Sequence, residues 1–223
     1  MILHSSVTRQ GTGRTENRDV TGSADNSGIY LYVIADGTSR PGSEKLATAL
    51  TGGLLKSFSN ARPASISCLD TALELTLSSL SAIRSTFCPD YPFASASYLA
   101  LLVLGDTALS IHAGDCCLGL LDKEKNLKWL TAPHCGPNWK GNLSHTAIAN
   151  NPARKTLLNC MSHRRPHEPQ VQSLDVVPDT RWILATDGFW AELSIEDQFK
   201  AIEESSLEGC PGEDDCTFML LMP

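Results

Sequence analysis

Short apolar segments flanked by aspartates constrain the fold of this sequence more than any other feature. Residues 29–35, 182–185 and 218–222 are nearly continuous apolar runs, which is typical of strands covered on both faces. The flanking pairs are Asp36-Gly37 after the first run, Asp187-Gly188 after the second and Asp214-Asp215 before the third. A compact fold must bury these strands and leave their charged ends at a rim.

The middle of the sequence predicts two β-hairpins. Residues 98–104 and 107–113 are separated by Gly105-Asp106, a two-residue turn signal with glycine first. Gly114-Asp115 ends the second arm of this hairpin. Residues 118–121 and 127–130 are expected to pair in the same way through the charged segment 122–126.

Three segments have helical periodicity. Leu46, Leu50, Leu54 and Phe58 recur every four residues after a start signal at 41–43, and a longer apolar stripe extends from Ile66 to Phe87. A third helix begins at Ser194, which forms a capping box with Asp197, and its buried face is expected to contain Ile195, Phe199 and Ile202. Helices together with hairpin-linked strands predict an α+β fold in packed layers.

The aspartates predict a cation site if the last strand runs antiparallel to its neighbours. Its start and the ends of the other strands then meet at one rim, where Asp36, Asp115, Asp187 and Asp214 converge, with Asp19 in the polar segment nearby. Carboxylates repel one another unless a cation lies among them, and oxygen ligands suit Mg²⁺ or Mn²⁺. The alternative is that each Asp-Gly pair is an ordinary turn.

The charge balance excludes some classes of partner. Asp and Glu outnumber Lys and Arg by 25 to 18, which gives a formal net charge of -7 and argues against nucleic-acid binding. The longest apolar runs are too short for a membrane helix, and residues 1–10 do not resemble a secretion signal. We therefore expect a cytoplasmic protein with no nucleic-acid or membrane partner.

The eight cysteines are scattered and include no C-x-x-C pair, so we expect reduced, mostly buried thiols. Cys160, His163 and His167 have a loosely zinc-like spacing. Pro166 interrupts any helix that would place both histidines on one face, and a fourth ligand is not obvious. A zinc-dependent binding module is therefore a less favoured hypothesis.

Five short blocks resemble, in order and spacing, the motifs of the metal-dependent PPM (protein phosphatase 2C-like) serine/threonine phosphatases. The family patterns read roughly R-x-x-N-E-D, V-A-D-G, V-G-D-S, S-D-G-L-W and D-N-x-T. The corresponding blocks here are residues 13–19, 33–37, 111–115, 184–190 and 214–217, which span nearly the whole chain. The resemblance implies one domain over residues 1–223, a four-layer α-β-β-α sandwich with a central antiparallel β-sandwich and a short variable flap at 131–170.

The resemblance also implies roles for individual residues. Asp36 would bridge two Mn²⁺ or Mg²⁺ ions, and the other ligands would be the Gly37 carbonyl, Asp19, Asp187 and Asp214. Asp115 matches the aspartate of a third, weaker metal, and Arg14 matches the arginine that binds the substrate phosphate. Two such ions would activate a bridging hydroxide that attacks phosphorus directly. Arg14 suits a phosphate because a guanidinium donates two parallel hydrogen bonds; the alternative is a solvated surface arginine.

Several positions depart from the family pattern. They are Arg18 in place of glutamate, Ser39-Arg40 in place of Gly-Gly, Cys116-Cys117 in place of Ser-Arg, Thr38 where some members have a histidine general acid, and Asp215 in place of asparagine. Arg18 would either weaken the metal shell or point away as another phosphate contact. The change at Asp215 leaves open whether Asp214 or Asp215 is the ligand.

These observations lead to two main functional hypotheses. The first is a metal-dependent phosphatase that hydrolyses phosphoserine and phosphothreonine in proteins, opposing a serine/threonine kinase. The second, motivated by Arg18 and the missing Gly-Gly, is a catalytically weakened relative that regulates by binding. The flap contains the densest cationic group, formed by Arg154, Lys155, Arg164 and Arg165. We expect this group to be a solvated loop, the favoured alternative to binding a phosphorylated segment.

Overall fold

Two antiparallel β-sheets form the centre of the computed structural model, which describes residues 2–222. The first sheet has the order β1 (Ile2–Arg9), β11 (Cys216–Met222), β10 (Arg181–Ala185), β6 (Cys117–Leu121) and β7 (Leu127–Trp129). The second has the order β2 (Asp19–Asn26), β3 (Ile29–Gly37), β4 (Ser95–Leu104), β5 (Thr107–Ala113) and β9 (Gln170–Asp175), and β8 (Met161–Ser162) pairs with β4.

Helices cover the outer faces of both sheets. The long helices α1 (Ser43–Asn60) and α2 (Leu69–Thr86) lie on the second sheet, and α1 packs directly on β2 and β3. The short helix α4 (Asp187–Trp190) and the helix α5 (Ile195–Glu204) belong to the apolar cluster on the first sheet. One further short helix, α3 (His145–Ala149), lies in the flap. This arrangement confirms the α+β, four-layer α-β-β-α sandwich.

The continuous apolar runs are explained by the two faces of each sheet. In β3, Leu31, Val33 and Ala35 pack on the helix side, whereas Tyr32 and Ile34 pack between the two sheets. The strand period of two assigns alternate residues to two different cores, so every position is apolar. The predicted strands and both predicted hairpins are confirmed.

The predicted helices are confirmed, with one correction at the third. Ser194 caps α5, as the sequence predicted: its hydroxyl oxygen accepts a hydrogen bond from the Asp197 amide at 3.1 Å. The prediction that Ile195 is buried is wrong, because this side chain is 47% exposed at the first turn. The buried face is shifted toward Gln198, Ala201 and Ile202.

Edge strands account for most of what the sequence did not predict. The strands β1, β2 and β9 were not expected. β1 is one edge of the first sheet, and β2 and β9 are the two edges of the second sheet. Each has an alternating or polar pattern because one face is exposed, so no continuous apolar run marks it. Within residues 2–222, no helix is long and apolar enough to cross a membrane.

Candidate metal centre

The strand registers bring the predicted aspartates to one rim of the sandwich. In the second sheet Asp19 lies opposite Asp36, and Asp36 lies opposite Ser97 of β4. The side-chain oxygen of Ser97 accepts hydrogen bonds from the amides of Asp115 at 2.8 Å and Cys116 at 2.7 Å. The turn that carries Asp115 is therefore attached to the strand next to Asp36.

The first sheet contributes the remaining carboxylates. Ala185 of β10 pairs with Phe218 of β11, which runs antiparallel to it, as the rim hypothesis required. The end of β10 and the start of β11 therefore lie side by side. Six charged side chains line one small cleft of about 70 Å³, and they come from both sheets and the flap: Arg14, Asp36, Asp115, Lys155, Asp187 and Asp214.

Two glycines at the rim are required by close backbone contacts. A Cβ at Gly188 would lie 2.0 Å from the carbonyl oxygen of Asp215, and a Cβ at Gly37 would lie 2.6 Å from the carbonyl oxygen of Ser43. Neither glycine has a positive φ. The Asp-Gly pairs here thus serve the close approach of two chain segments.

Burial and mutual repulsion make the rim carboxylates difficult to ionise. Burial raises the pKa of Asp19 to about 8 and that of Asp115 to about 7, and the charge of Asp187 adds to both effects. Burial also raises the pKa of Asp36 well above its ordinary value, and the charges of Asp19 and Asp187 increase it further. A group of acids in this state favours a proton or a cation.

One oxygen of Asp19 has the environment expected of a cation ligand. Its Oδ2 accepts a hydrogen bond from the Thr186 hydroxyl at 2.9 Å, whereas its buried Oδ1 has no hydrogen-bond partner among the residues described. A buried carboxylate oxygen without a partner is costly. The all-oxygen donor set at this rim fits hard divalent cations such as Mg²⁺ and Mn²⁺.

Positive side chains engage two of the predicted ligands. Arg14 pairs with Asp214 through Nε at 2.8 Å and also through its terminal nitrogen. Arg154 pairs with Asp187 and, at 3.1 Å, with Glu192. Within residues 2–222, no three acidic, histidine or cysteine side chains already form a metal-ligand group. The carboxylates therefore lie at the same rim, but no three of them among the described residues are arranged as ligands of a single ion.

The environment of Arg14 and Asp214 differs from that of the other acids. Burial alone would raise the pKa of Asp214, but the hydrogen bond and charge of Arg14, together with the charge of Lys155, lower it. Arg14 also contacts the Ser39 hydroxyl, and its side chain is 19% exposed. The alternative of a freely solvated Arg14 therefore does not match its contacts.

The structure separates the two candidate ligands near the last strand. Both oxygens of Asp215 accept backbone amides, from Gly11 at 2.9 Å and from Arg18 at 3.0 Å. Asp214, in contrast, lines the cleft. The Arg18 side chain reaches Glu16 and the Thr38 carbonyl, each at 3.4 Å, and forms no ion pair with Asp19 or Asp36 within residues 2–222.

The flap corrects one sequence prediction. Arg154 is only 8% exposed, so the expectation of a solvated cationic loop is wrong for this residue. The physical reason is that two acids in the segment after β10, Asp187 of α4 and Glu192 just beyond this helix, compensate its charge. Glu192 was not predicted, because no local pattern distinguishes it, whereas Thr186 could have been noticed as the residue directly before Asp187.

The cysteines and the zinc-like trio play no part in this cleft. All eight cysteines are free, and six of them are buried. His167 contacts the Tyr98 hydroxyl at 2.8 Å. Within the part of the chain that the structure describes, Cys160, His163 and His167 do not form a metal-ligand group.

Solved structures of bacterial phosphatases share this architecture. The serine/threonine phosphatase Stp1 from Staphylococcus aureus superposes with a TM-score of 0.81 and 16% identity, covering 100% of this chain and 96% of that one. The S. agalactiae serine/threonine phosphatase superposes with a TM-score of 0.79 and 19% identity, covering 98% of each chain. The PPM Ser-Thr phosphatase MsPP from Mycobacterium smegmatis, in complex with cacodylate, superposes with a TM-score of 0.77 and 19% identity. The match covers 100% of this chain and 99% of that one.

The chain has the fold of these phosphatases. At identities of 16 to 19% the likeness concerns the fold alone. No family model matches the sequence, and no curated protein matches it. Because the phosphatase fold covers nearly the whole of each chain, the rim and the flap both lie inside the shared architecture.

Proposed function

We propose that this protein is a PPM-family phosphatase that uses Mn²⁺ or Mg²⁺ to hydrolyse phosphoserine and phosphothreonine in proteins, opposing a serine/threonine kinase. The observation that carries the proposal is the cleft in which acids from both sheets, Asp36, Asp115, Asp187 and Asp214, adjoin Arg14. Carboxylates suit divalent cations, and a neighbouring guanidinium suits a phosphate. Both requirements of metal-assisted phosphate hydrolysis are thus met in one place.

The proposed ligands are those that the resemblance in sequence implies. Asp36 would contact two ions, with Asp19, the Gly37 carbonyl, Asp187 and Asp214 as the further ligands and Asp115 as the ligand of a third, weaker ion. When bound, divalent cations of this kind supply Lewis acidity and a nucleophilic water at neutral pH. The unpartnered Oδ1 of Asp19 supports this assignment.

Arg14 would orient the substrate. It is held at the edge of the cleft by Asp214 and the Ser39 hydroxyl, so its guanidinium is positioned before a substrate arrives. A planar guanidinium can donate two hydrogen bonds to the phosphate oxygens and so align the phosphorus with the acidic side of the cleft. Arg14 and Asp36 are accordingly the residues that we place closest to the reaction.

The decisive experiment compares phosphate release in Mn²⁺, Mg²⁺ and EDTA, with an aryl phosphate and with phosphopeptides as substrates. We expect release with the metals and none with EDTA. Asp36→Asn should reduce release to the EDTA level, whereas Asp70→Asn, the same chemical change at an exposed site on α2, should leave it unaltered. Absence of release from both substrate types would refute the proposal.

The ion pair between Arg154 and Asp187 favours a second candidate, a catalytically weakened protein that binds phosphoproteins without turnover. A buried guanidinium on Asp187 supplies the positive charge that a metal would otherwise bring. Under this candidate, calorimetry should detect no Mn²⁺ binding by the natural protein, and Arg154→Gln should create it. Two Mn²⁺ sites in the natural protein would rule the candidate out, and Arg62→Gln serves as the exposed control.

A further inference from the structure

A positively charged groove adjoins the carboxylate cleft. Its first part, of about 410 Å³, shares Thr38, Ser39, Lys155 and Leu157 with that cleft, so the two are continuous. Its second part, of about 310 Å³, shares Arg40, Ser95 and Arg165 with the first. We call the two parts together the arginine groove.

The charges of the arginine groove are not compensated. Arg40, Arg164 and Arg165 line it, and none of the three forms an ion pair with another residue within 2–222. Among the described residues, no acidic side chain lines either part. Lys155 differs, because it lies 3.4 Å from Asp214. In a chain with a net charge of -7, such a groove is a local exception.

Two of the three arginines are held in place. The Arg164 guanidinium lies 4.5 Å from the centre of the Phe93 ring, whose side chain is 59% exposed beside it. Arg165 donates a hydrogen bond to the Leu157 carbonyl. Positioned guanidinium groups lose less conformational freedom when they bind, which favours an anionic ligand over an unoccupied, solvated surface.

We propose that the arginine groove binds acidic side chains next to the phosphorylated residue, so that the protein selects phosphoproteins with an acidic flank. This inference rests on the proposed function, because the groove opens into the cleft where the phosphorylated residue would lie. Arg40 and Arg165 line both parts of the groove, Arg164 lines the second and Lys155 the first, so positive groups extend along its whole length. They therefore match a row of side-chain carboxylates better than a single second phosphate.

The test uses phosphothreonine peptides that differ only in the flank. One has aspartate and glutamate on both sides of the phosphothreonine, the second has asparagine and glutamine, and the third has a second phosphorylated residue in a neutral flank. For the natural protein with Mn²⁺ we expect kcat/KM about tenfold higher for the acidic peptide than for the neutral one, because each exposed charge pair contributes a factor of about 1.4 to 5. High salt should reduce this preference.

The variant Arg40→Gln with Arg164→Gln should lower the preference for the acidic peptide to about threefold or less. Its turnover of a small aryl phosphate, which has no flank, should stay unchanged. The control is Lys56→Gln with Arg62→Gln, which removes the same charge at exposed positions of α1 and the segment after it and should retain the tenfold preference. Arg165 is left intact because it supports the flap through Leu157.

The outcomes separate this inference from the proposed function. Turnover of the aryl phosphate with equal kcat/KM for the acidic and neutral peptides would overturn the groove assignment and leave the phosphatase intact. A preference for the second phosphate without one for the acidic flank would also overturn it. If no substrate is hydrolysed, the proposed function fails, and fluorescence anisotropy with the labelled acidic and neutral peptides then decides whether the groove binds acidic flanks.

Discussion

At the scale of single residues, the acids at the rim outnumber the positive side chains that pair with them: within residues 2–222, Asp214 and Asp187 form ion pairs with arginines, whereas Asp19 and Asp36 form none. Asp19 has one buried oxygen with no hydrogen-bond partner among the described residues. An unpaired buried polar atom costs about 1–3 kcal/mol, and more when it carries charge. A proton relieves this cost when no divalent cation is bound, which is why burial raises the pKa of Asp19 to about 8.

This raised pKa predicts that Asp19 makes the metal-free protein less stable as the pH rises from 6.5 to 8. An unfolded aspartate is fully ionised in this range, whereas the folded protein holds a proton on Asp19, so rising pH favours the unfolded state. The buried histidines His112, His145 and His167, whose pKa values burial lowers to about 4, act in the opposite direction, because in the unfolded protein they still lose protons around and above pH 6.5. In urea unfolding with EDTA, the unfolding free energy of the natural protein should therefore fall by about 1–2 kcal/mol relative to that of a variant in which residue 19 cannot titrate.

Asp19→Asn is the matching variant for this prediction. The amide does not titrate, so the variant should lack the Asp19 contribution, and its unfolding free energy should fall less, or rise more, than that of the natural protein between pH 6.5 and 8. Asp70→Asn should leave the pH dependence as it is in the natural protein, because Asp70 is exposed on α2. Parallel pH dependences of the unfolding free energy for the natural protein and for Asp19→Asn in EDTA would contradict the pKa assignment.

At the scale of elements, the rim depends on contacts between segments that are distant in sequence. The Trp190 indole nitrogen of α4 donates a hydrogen bond to the Asp115 carbonyl at 2.8 Å, which links the two Asp-bearing segments. Gly188 in the same helix lies against the backbone of Asp215. The position of the Asp187 carboxylate is therefore set by the packing of α4 against the residues before β11.

We expect Gly188→Ala to destabilise the protein by about 2–4 kcal/mol, because its Cβ would lie 2.0 Å from the Asp215 carbonyl oxygen and force a backbone shift. Mn²⁺ affinity should fall as well, since Asp187 moves with the helix. Gly52→Ala on α1 is the control: its Cβ would meet no atom within 4 Å, and alanine should stabilise this helix by about 1 kcal/mol. Urea unfolding and calorimetry with Mn²⁺ measure both effects.

At the scale of the whole molecule, the candidate centre exists only when the two sheets are packed together. Asp19 and Asp36 belong to the second sheet, whereas Asp187 and Asp214 flank strands of the first. The core between the sheets includes Trp182, Leu184 and Met219, which are almost fully buried. Binding of a cation at the rim, as proposed, would therefore be coupled to folding of the entire sandwich.

This coupling predicts that Mn²⁺ raises the temperature of one cooperative unfolding transition. A ligand at about 100 times its Kd stabilises the folded state by about 2.7 kcal/mol, which corresponds to a shift of about 5–10 °C for a chain of this size. Calorimetric scans with Mn²⁺ and with EDTA measure the shift, and Asp36→Asn should abolish it. Two transitions of which only one responds to Mn²⁺ would contradict the coupling.

Local chemistry explains what the sequence by itself determined. The doubly buried strands, the Gly105-Asp106 turn and the start of α5 at Ser194 all depend on neighbouring residues, so apolar runs, turn residues and caps identify them. The convergence of aspartates at one rim was also predictable, because antiparallel strands place their adjoining ends together. Edge strands such as β2 were not, since their exposed faces carry no apolar run.

Only the tertiary structure decided which charges compensate one another. The pairing of Arg154 with Asp187, the capture of both Asp215 oxygens by backbone amides and the unpartnered oxygen of Asp19 depend on segments far apart in sequence. The arginine groove likewise joins Arg40 to Arg165 across 125 positions. Electrostatic interactions act through distance in space, and sequence spacing does not specify that distance until the sheets have packed.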